Sequence, residues 1–226
     1  MTNSSADARQ FAPATQRNRE FILKVLQQVL PPIGTVLEVS SGTGEHAIFC
    51  APQLAPRCWL PSDPNPIARQ SIAAWQEHAP AVNLYPPIHL DATEPIWPVE
   101  QSSLPDEWLA TGLQTQALSV IANINAIVNI NMIHIAPWSA CLGLMAGAGR
   151  ILPTDGILYL YGPYKQNGQH TASSNAMFDE NLRSQNPEWG VRDLEAVIAA
   201  AAAQKLSWVK TVAMPANNLS VVFIKQ

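Results

Sequence analysis

Three acids, two asparagines and a histidine carry the chemistry legible in this chain. Glu38, Asp63 and Asp91 each close an apolar run, and Asn129, Asn131 and His134 share a later one. Carboxylates at successive strand ends accept hydrogen bonds from the hydroxyls and amines of a nucleotide cofactor, and an imidazole beside amides can take a proton from a nucleophile. Between Glu38 and Asp63 stands the turn Ser40-Ser-Gly-Thr-Gly44. Its small residues allow a tight bend and bring a ligand close to bare backbone N–H groups. Asp63 follows Gly44 at about the 20-residue spacing of an acid that meets ribose hydroxyls. Standing before Pro64, the same acid also suits a helix N-cap, and Asp91-Ala-Thr-Glu94 also reads as a capping box.

Two kinds of ligand fit the turn. Gly42, Gly44 and Ala47 spell the G-x-G-x-x-A of dinucleotide sites. Glu38 weighs against that ligand, because a carboxylate just before the turn repels a pyrophosphate. It suits S-adenosyl-L-methionine (SAM), which has no phosphate and carries a cationic sulfonium and amine.

The elements that must position these residues follow from periodicity. Phe21, Ile22, Val25, Leu26, Val29 and Leu30 repeat on one face of a helix that Thr15 can cap and Pro31-Pro32 end. Arg17-Asn18-Arg19 lies on its first turn, where cations are poorly placed for the helix dipole; solvent or a bound carboxylate would answer them. A strand at 35–39 leads through the turn to a helix over 43–54, a strand at 57–63, a helix over 66–78 and a third strand ending at Leu90. Pro95, Pro98 and Pro105 mark a loop excursion, with a short helix over 106–118 packing through Trp108 and Leu109. The fourth strand spans 125–134, and alternation puts Asn129 and Asn131 on one side of it. A helix over 138–149, a strand over 156–164, a glycine and amide loop at 165–171, two further helices and a closing hairpin of strands at 207–214 and 219–225 complete the pattern.

Composition narrows the partners. A net charge of -4 and a pI near 5.7 argue against nucleic acid, whose affinity comes mainly from Lys and Arg on phosphates. Only 13% of residues are charged, against about 25% in ordinary domains, so either much of the surface is polar and uncharged or part of it is covered, and a homodimer is the expectation. Cys50, Cys58 and Cys141 lack metal-ligand spacing and read as core residues of a reducing compartment, so a cytoplasmic location is expected and no metal. Residues 1–9 show no secretory signal. Residues 108–149 hold no Asp, Glu, Lys or Arg, yet Asn123, Asn125, Asn129, Asn131 and His134 interrupt them; a buried strand explains this better than a membrane helix.

Five βα-like units followed by an antiparallel pair resemble the class I SAM-dependent methyltransferase fold. It is an α/β, Rossmann-like architecture with a seven-stranded, mostly parallel sheet of order 3-2-1-4-5-7-6 and helices on both faces. The expectation is one domain over 1–226 with a mobile segment at 1–14. More closely, Arg17-Asn18-Arg19, Glu38-Val-Ser-Ser-Gly-Thr-Gly-Glu-His46, Pro61-Ser-Asp63, Asn129-Ile-Asn-Met-Ile-His134 and Tyr161-Gly-Pro-Tyr164 are similar to a family of methyltransferase-like proteins of bacteria and animals. The resemblance implies that Glu38, Ser40, Gly42 and Gly44 line the methionine part of SAM, Asp63 the ribose, and Asp91 with Ala92 the adenine, with Asn129 beneath the methionine moiety. Ser40 stands where most such loops have glycine. Asn131 and His134 take the place of substrate-facing groups, with His134 as proton acceptor and Asn131 orienting the nucleophile of a small-molecule acceptor. Tyr161, Tyr164, Phe178 and Trp138 are expected to enclose the site, and Arg183 reads either as a substrate anchor or as a surface arginine. No Asn-Pro-Pro-Tyr clamp is present, which disfavours adenine or glutamine amide as acceptor. Two other functions stand beside a small-molecule methyltransferase: a SAM-binding regulatory protein without methyl transfer, which nothing in the sequence separates from it, and a nicotinamide-dependent oxidoreductase, from which the three strand-end acids and the closing hairpin set it apart.

Overall fold

The computed structural model describes residues 7–101, 108 and 114–226. Short runs of Val, Ile and Leu form the strands that alternate with amphipathic helices. Strands β1 (Thr35–Val39), β2 (Cys58–Ser62), β3 (Ile124–Ile130) and β4 (Ile157–Gly162) are mutually parallel. The final hairpin, β8 (Leu206–Met214) and β9 (Asn218–Lys225), adds antiparallel to β4 through β9, giving the order β2-β1-β3-β4-β9-β8.

Because side chains alternate across a strand, each central strand feeds two cores. Leu37, Leu60, Ile127 and Leu158 face one layer, with α5 (Trp138–Ile151) and α7 (Leu194–Ala202) packed on it. Val36, Trp59, Ala126 and Tyr159 face the other, covered by α1 (Pro13–Val29) and α2 (Glu45–Gln53), with α3 (Pro66–His78) beside α2. All five residues of β1 are buried, as a parallel strand covered on both faces requires.

Several boundaries differ from expectation for definable reasons. Helix α1 begins at Pro13, not Thr15, with Ala12 at the N-cap; proline pre-sets the first helical φ and has no N–H to leave unsatisfied. Gln10 and Ala12, within the segment expected to be mobile, hydrogen-bond to α3 and α2. The Gln10 N–H donates to Ser71 Oγ (2.8 Å), Trp75 Nε1–H donates to the Gln10 carbonyl (3.0 Å), and the Ala12 N–H donates to the Glu45 carboxylate. Residues 1–6 of the expected mobile segment lie outside the described residues. So does most of the expected helix over 106–118; Trp108 is buried, and α4 (Gln114–Ala122) leads into β3.

The expected third strand survives only as two isolated parallel bridges to β2, Trp59 with Leu84 and Ser62 with Ile88. Pro86 and Pro87 on one side and Pro61 on the other lack the N–H groups a continuous ladder needs. The segment nevertheless runs beside β2, so the main sheet keeps the anticipated order with six strands instead of seven. Strand β3 stops at Ile130 instead of His134, because Asn131 turns to φ +62°. Asn131 therefore leaves the alternation that was to pair it with Asn129. Past Gly162, an unforeseen small sheet forms from β5 (Tyr164–Gln166), β6 (Gln169–His170) and β7 (Arg192–Asp193), where a loop was expected. Helix α6 (Ser173–Gln185) lies between β6 and β7 in sequence. No helix among the described residues is long and apolar enough to cross a membrane.

Candidate functional site

At the carboxyl ends of β1, β2 and β3 a cleft of 720 Å³ opens, lined by Glu38, Ser40, Gly42, Asp63, Asp91, Ala92 and Asn131 among others. Open α/β sheets bind ligands at this edge. The turn after β1 is left-handed at three places, Ser40 (φ +59°), Gly42 (φ +55°) and Gly44 (φ +87°). At Gly44 a Cβ would lie 2.8 Å from Ile72 Cγ1 and 3.0 Å from Ile72 Cα, so only glycine lets α2 start this close to α3. Gly44 thus shapes the turn from behind and does not line the cleft.

The acids brace the turn. The Gly42 N–H donates to Asp63 Oδ2 (2.9 Å), while Oδ1 of the same carboxylate accepts from the Asn65 N–H (2.9 Å). Asn65, not Asp63, caps α3, accepting from the Ile67 N–H. Burial lifts the Asp63 carboxyl above its usual value. Glu38 is 1% exposed and accepts a hydrogen bond from Trp59 Nε1–H (3.0 Å). Burial raises its carboxyl to about 7, with the Trp59 and Ser41 hydrogen bonds pulling the other way. Asp91 begins no helix: its Oδ1 accepts from the Thr93 N–H and hydroxyl in a turn. Asn129 spends its amide on the Val39 carbonyl (2.9 Å) and does not line the cleft, so it fixes β3 against β1.

A second cavity, 640 Å³, adjoins the first and shares Ala14, Asn131 and Ile135 with it. His134, Tyr161 and Phe178 line it, as do Arg17 and Asn18 of α1 and the 215–218 turn of the closing hairpin. The Asn131 N–H donates to the Tyr161 carbonyl (2.9 Å), which sets the turn after β3 against β4. His134 is 5% exposed, edge-on to the Phe178 ring, and neither ring nitrogen has a hydrogen-bond partner among the described residues. Burial, with Arg192 adding repulsion, lowers its pKa to about 4, so the imidazole is neutral at pH 7. His46 is equally buried and also drops to about 4, yet it shares a 2.9 Å hydrogen bond with Asn18.

Three expected residues stay out of these cavities. Tyr164 is 2% exposed and belongs to the core beneath β5. Arg183 pairs with Asp179 one helical turn earlier (3.1 Å) and lines neither cavity. Trp138 packs under Arg192, 5.9 Å from its guanidinium, and lines neither cavity. Residues not singled out from sequence are Trp189 in the cleft and Ser174, Asn175 and the 215–218 turn in the second cavity. The Pro215-Ala-Asn-Asn218 hairpin turn signalled its own shape but not its proximity to Asn131.

Sheet order and cleft position define the chain as having the fold of SAM-dependent methyltransferases, and solved structures of that fold superpose on it. They include an O-methyltransferase family 2 protein from Planctomyces limnophilus in complex with apigenin (18% identity, 92% of this chain and 62% of that chain covered, TM-score 0.65). Human N-acetylserotonin methyltransferase in complex with SAM matches at 10% identity, 94% and 52% coverage and TM-score 0.68. A putative O-methyltransferase from Nostoc punctiforme matches at 13% identity, 92% and 56% coverage and TM-score 0.68. The chain spans between about half and three-fifths of the length of these proteins. Residues 9–225 match the family described as "Protein of unknown function (DUF938)", and the chain belongs to that family.

Proposed function

We propose that this protein transfers a methyl group from SAM to an oxygen, nitrogen or sulfur atom of a small molecule. The observation that carries the reading is the junction of two cavities at Asn131 and Ile135, one lined by three acids at the ends of successive strands or strand remnants, the other by an unpartnered, neutral His134. The cleft suits SAM chemically: Glu38, Asp63 and Asp91 supply acceptors, no Lys or Arg lines it, and Ala92, Met132, Ile135 and Trp189 supply apolar surface.

In this reading Glu38, Ser40 and Gly42 hold the methionine part, with Gly44 and Asn129 shaping the turn and strand behind it. Asp63 meets the ribose and Asp91 with Ala92 the adenine. SAM supplies, when bound, a methyl carbon made electrophilic by its sulfonium, and S-adenosyl-L-homocysteine is the product. The protein's own share is alignment and exclusion of water. Asn131 orients the acceptor's nucleophile at the junction, and Tyr161 and Phe178 close the apolar side. His134 would take the proton that the acceptor's nucleophile gives up when bound SAM supplies the methyl group.

Calorimetric titration with SAM, S-adenosyl-L-homocysteine and NAD tests the cofactor half. Both adenosyl compounds should bind and NAD should not. Asp63→Ala should weaken the adenosyl compounds about tenfold or more, since a hydrogen bond to a charged group contributes roughly 1.5–3 kcal/mol. Binding of NAD alone would replace this reading with an oxidoreductase.

A further inference from the structure

The two adjoining cavities divide charge between them. Glu38, Asp63 and Asp91 line the cofactor cleft without a lysine or arginine, whereas the second cavity has Arg17 and no aspartate or glutamate. With His134 neutral, Arg17 is the one charged residue among the described residues lining the second cavity. Arg17 has no ion-pair partner among the described residues, unlike Arg9, Arg150 and Arg183. Helix α6, 13 residues long, brings its amino end to the same cavity through Ser174 and Asn175. That end has no side-chain cap and no acid in its first turn. The amides of Asn175 and Ala176 turn back to the Ala172 carbonyl, and those of Ser173 and Ser174 have no partner among the described residues.

A free guanidinium and an open helix amino end both favour an anion. The independent sign of a ligand is His134, nine-tenths buried, unpartnered and lining the same cavity. Amides of Asn18, Asn131, Asn175, Asn217 and Asn218 complete a polar wall without adding charge. One guanidinium and neutral amides match a monoanion better than the dianion of a phosphate ester. Its planar fork matches a carboxylate in particular.

Resting on the methyl-transfer reading, we infer that the methyl acceptor is a small carboxylate, its anionic group held between Arg17 and the amino end of α6 while a separate nucleophile reaches His134. The carboxylate is an anchor and is not methylated. Arg17 is exposed at the mouth and His134 is buried, so the two ends of the acceptor are sorted by depth. The division of charge also sorts the ligands: a cationic cofactor is favoured in the acid-lined cleft and repelled by Arg17, and an anionic acceptor the reverse. A bound carboxylate additionally draws the His134 imidazole back toward protonation, because a nearby anion favours its charged form. The acceptor then carries the charge that its own proton acceptor lacks.

The test titrates the full chain calorimetrically, with and without S-adenosyl-L-homocysteine, using a series of small phenolic, thiol and amino carboxylates and the primary amide of each. At least one acid should bind about tenfold or more tighter than its amide. Arg17→Gln should erase that preference and Arg17→Lys retain part of it. No acid outbinding its amide, or a preference that survives Arg17→Gln, would overturn the inference. So would inorganic phosphate displacing the bound acid better than acetate does, or a product whose new methyl is lost on mild saponification, which marks a methyl ester. SAM titrated alone separates the two failures. Absence of SAM binding removes the methyl-transfer reading whatever the acids do, whereas SAM binding without an acid preference removes only the present inference.

Discussion

The acid-lined cleft and the second cavity are built on opposite plans. The polar groups of the cleft come mainly from stretches at 38–46, 63–65 and 91–93, each at or just past the end of a strand or its remnant, and hydrogen bonds brace them: Asp63 holds Gly42, Trp59 of β2 holds Glu38, Thr93 holds Asp91. The second cavity gathers residues from Ala14 to Asn218, and the buried ring of His134 in its wall has no hydrogen-bond partner among the described residues. A mutually braced site has its shape before a ligand arrives. An unpartnered buried group leaves part of its hydrogen-bonding capacity for the ligand to fill. The contrast suits a constant cofactor beside a particular acceptor.

If the two sites are separable in this way, substitutions should divide cleanly between them. The largest effect expected is at His134. With an acceptor in hand, His134→Ala should lower kcat about 100- to 10,000-fold while SAM affinity, measured by calorimetry, stays at the wild-type value. A parallel loss of SAM binding would mean that the two cavities act as one. Next comes the turn that shapes the cleft from behind. Gly44→Ala forces a Cβ against Ile72 in a left-handed backbone and should cost about 2–4 kcal/mol of stability in denaturant melts. Gly42→Ala, with nothing within 4 Å of its Cβ, should cost only about 1 kcal/mol for the backbone alone. Equal losses at the two glycines would show that backbone strain, not the contact with Ile72, sets the turn.

The smallest effect sharpens the electrostatic side of the comparison. Glu38 titrates at about 7, so if only its carboxylate holds the cationic cofactor, SAM affinity should fall about tenfold between pH 8 and pH 6. Glu38→Gln should flatten that profile. Stability of the cofactor-free protein runs the other way. A carboxyl raised from 4.5 to about 7 binds more protons folded than unfolded across that window, so its contribution falls as pH rises through it. The Gln variant should therefore melt above wild type at pH 8 and match it at pH 4.5.

Legibility in the sequence follows the same division. The cleft was readable because its residues sit at fixed offsets from strand ends, and the span of α3, the hairpin and both central strands before residue 130 followed from periodicity and punctuation. Local pattern failed where a distant contact decided the outcome. Pro61, Pro86 and Pro87 were visible, but only their lying opposite one another removes the third ladder. Tyr164 and Tyr161 look equivalent in sequence, yet the chain leaves β4 after Gly162 and takes Tyr164 into a separate sheet under α7. Arg183 had a partner at Asp179, four residues away, that its helix supplied without any ligand. Arg17, whose placement near the start of α1 already looked costly, was the cation to follow.

The turn at Asn131 has a consequence for how this family can vary. Where the two cavities meet is set by where β3 ends, and that end is fixed on one side by the amide of Asn129 on Val39 and on the other by the Asn131 N–H on Tyr161. Either cavity can exchange side chains independently, changing what it admits. A single residue inserted into or deleted from β3 would shift the meeting point by about 3.3 Å, as much as the whole distance across which reacting atoms must approach. In the methyl-transfer reading proposed above, the length of that strand is a ruler for the reaction, and drift in the acceptor is freer than drift in the ruler.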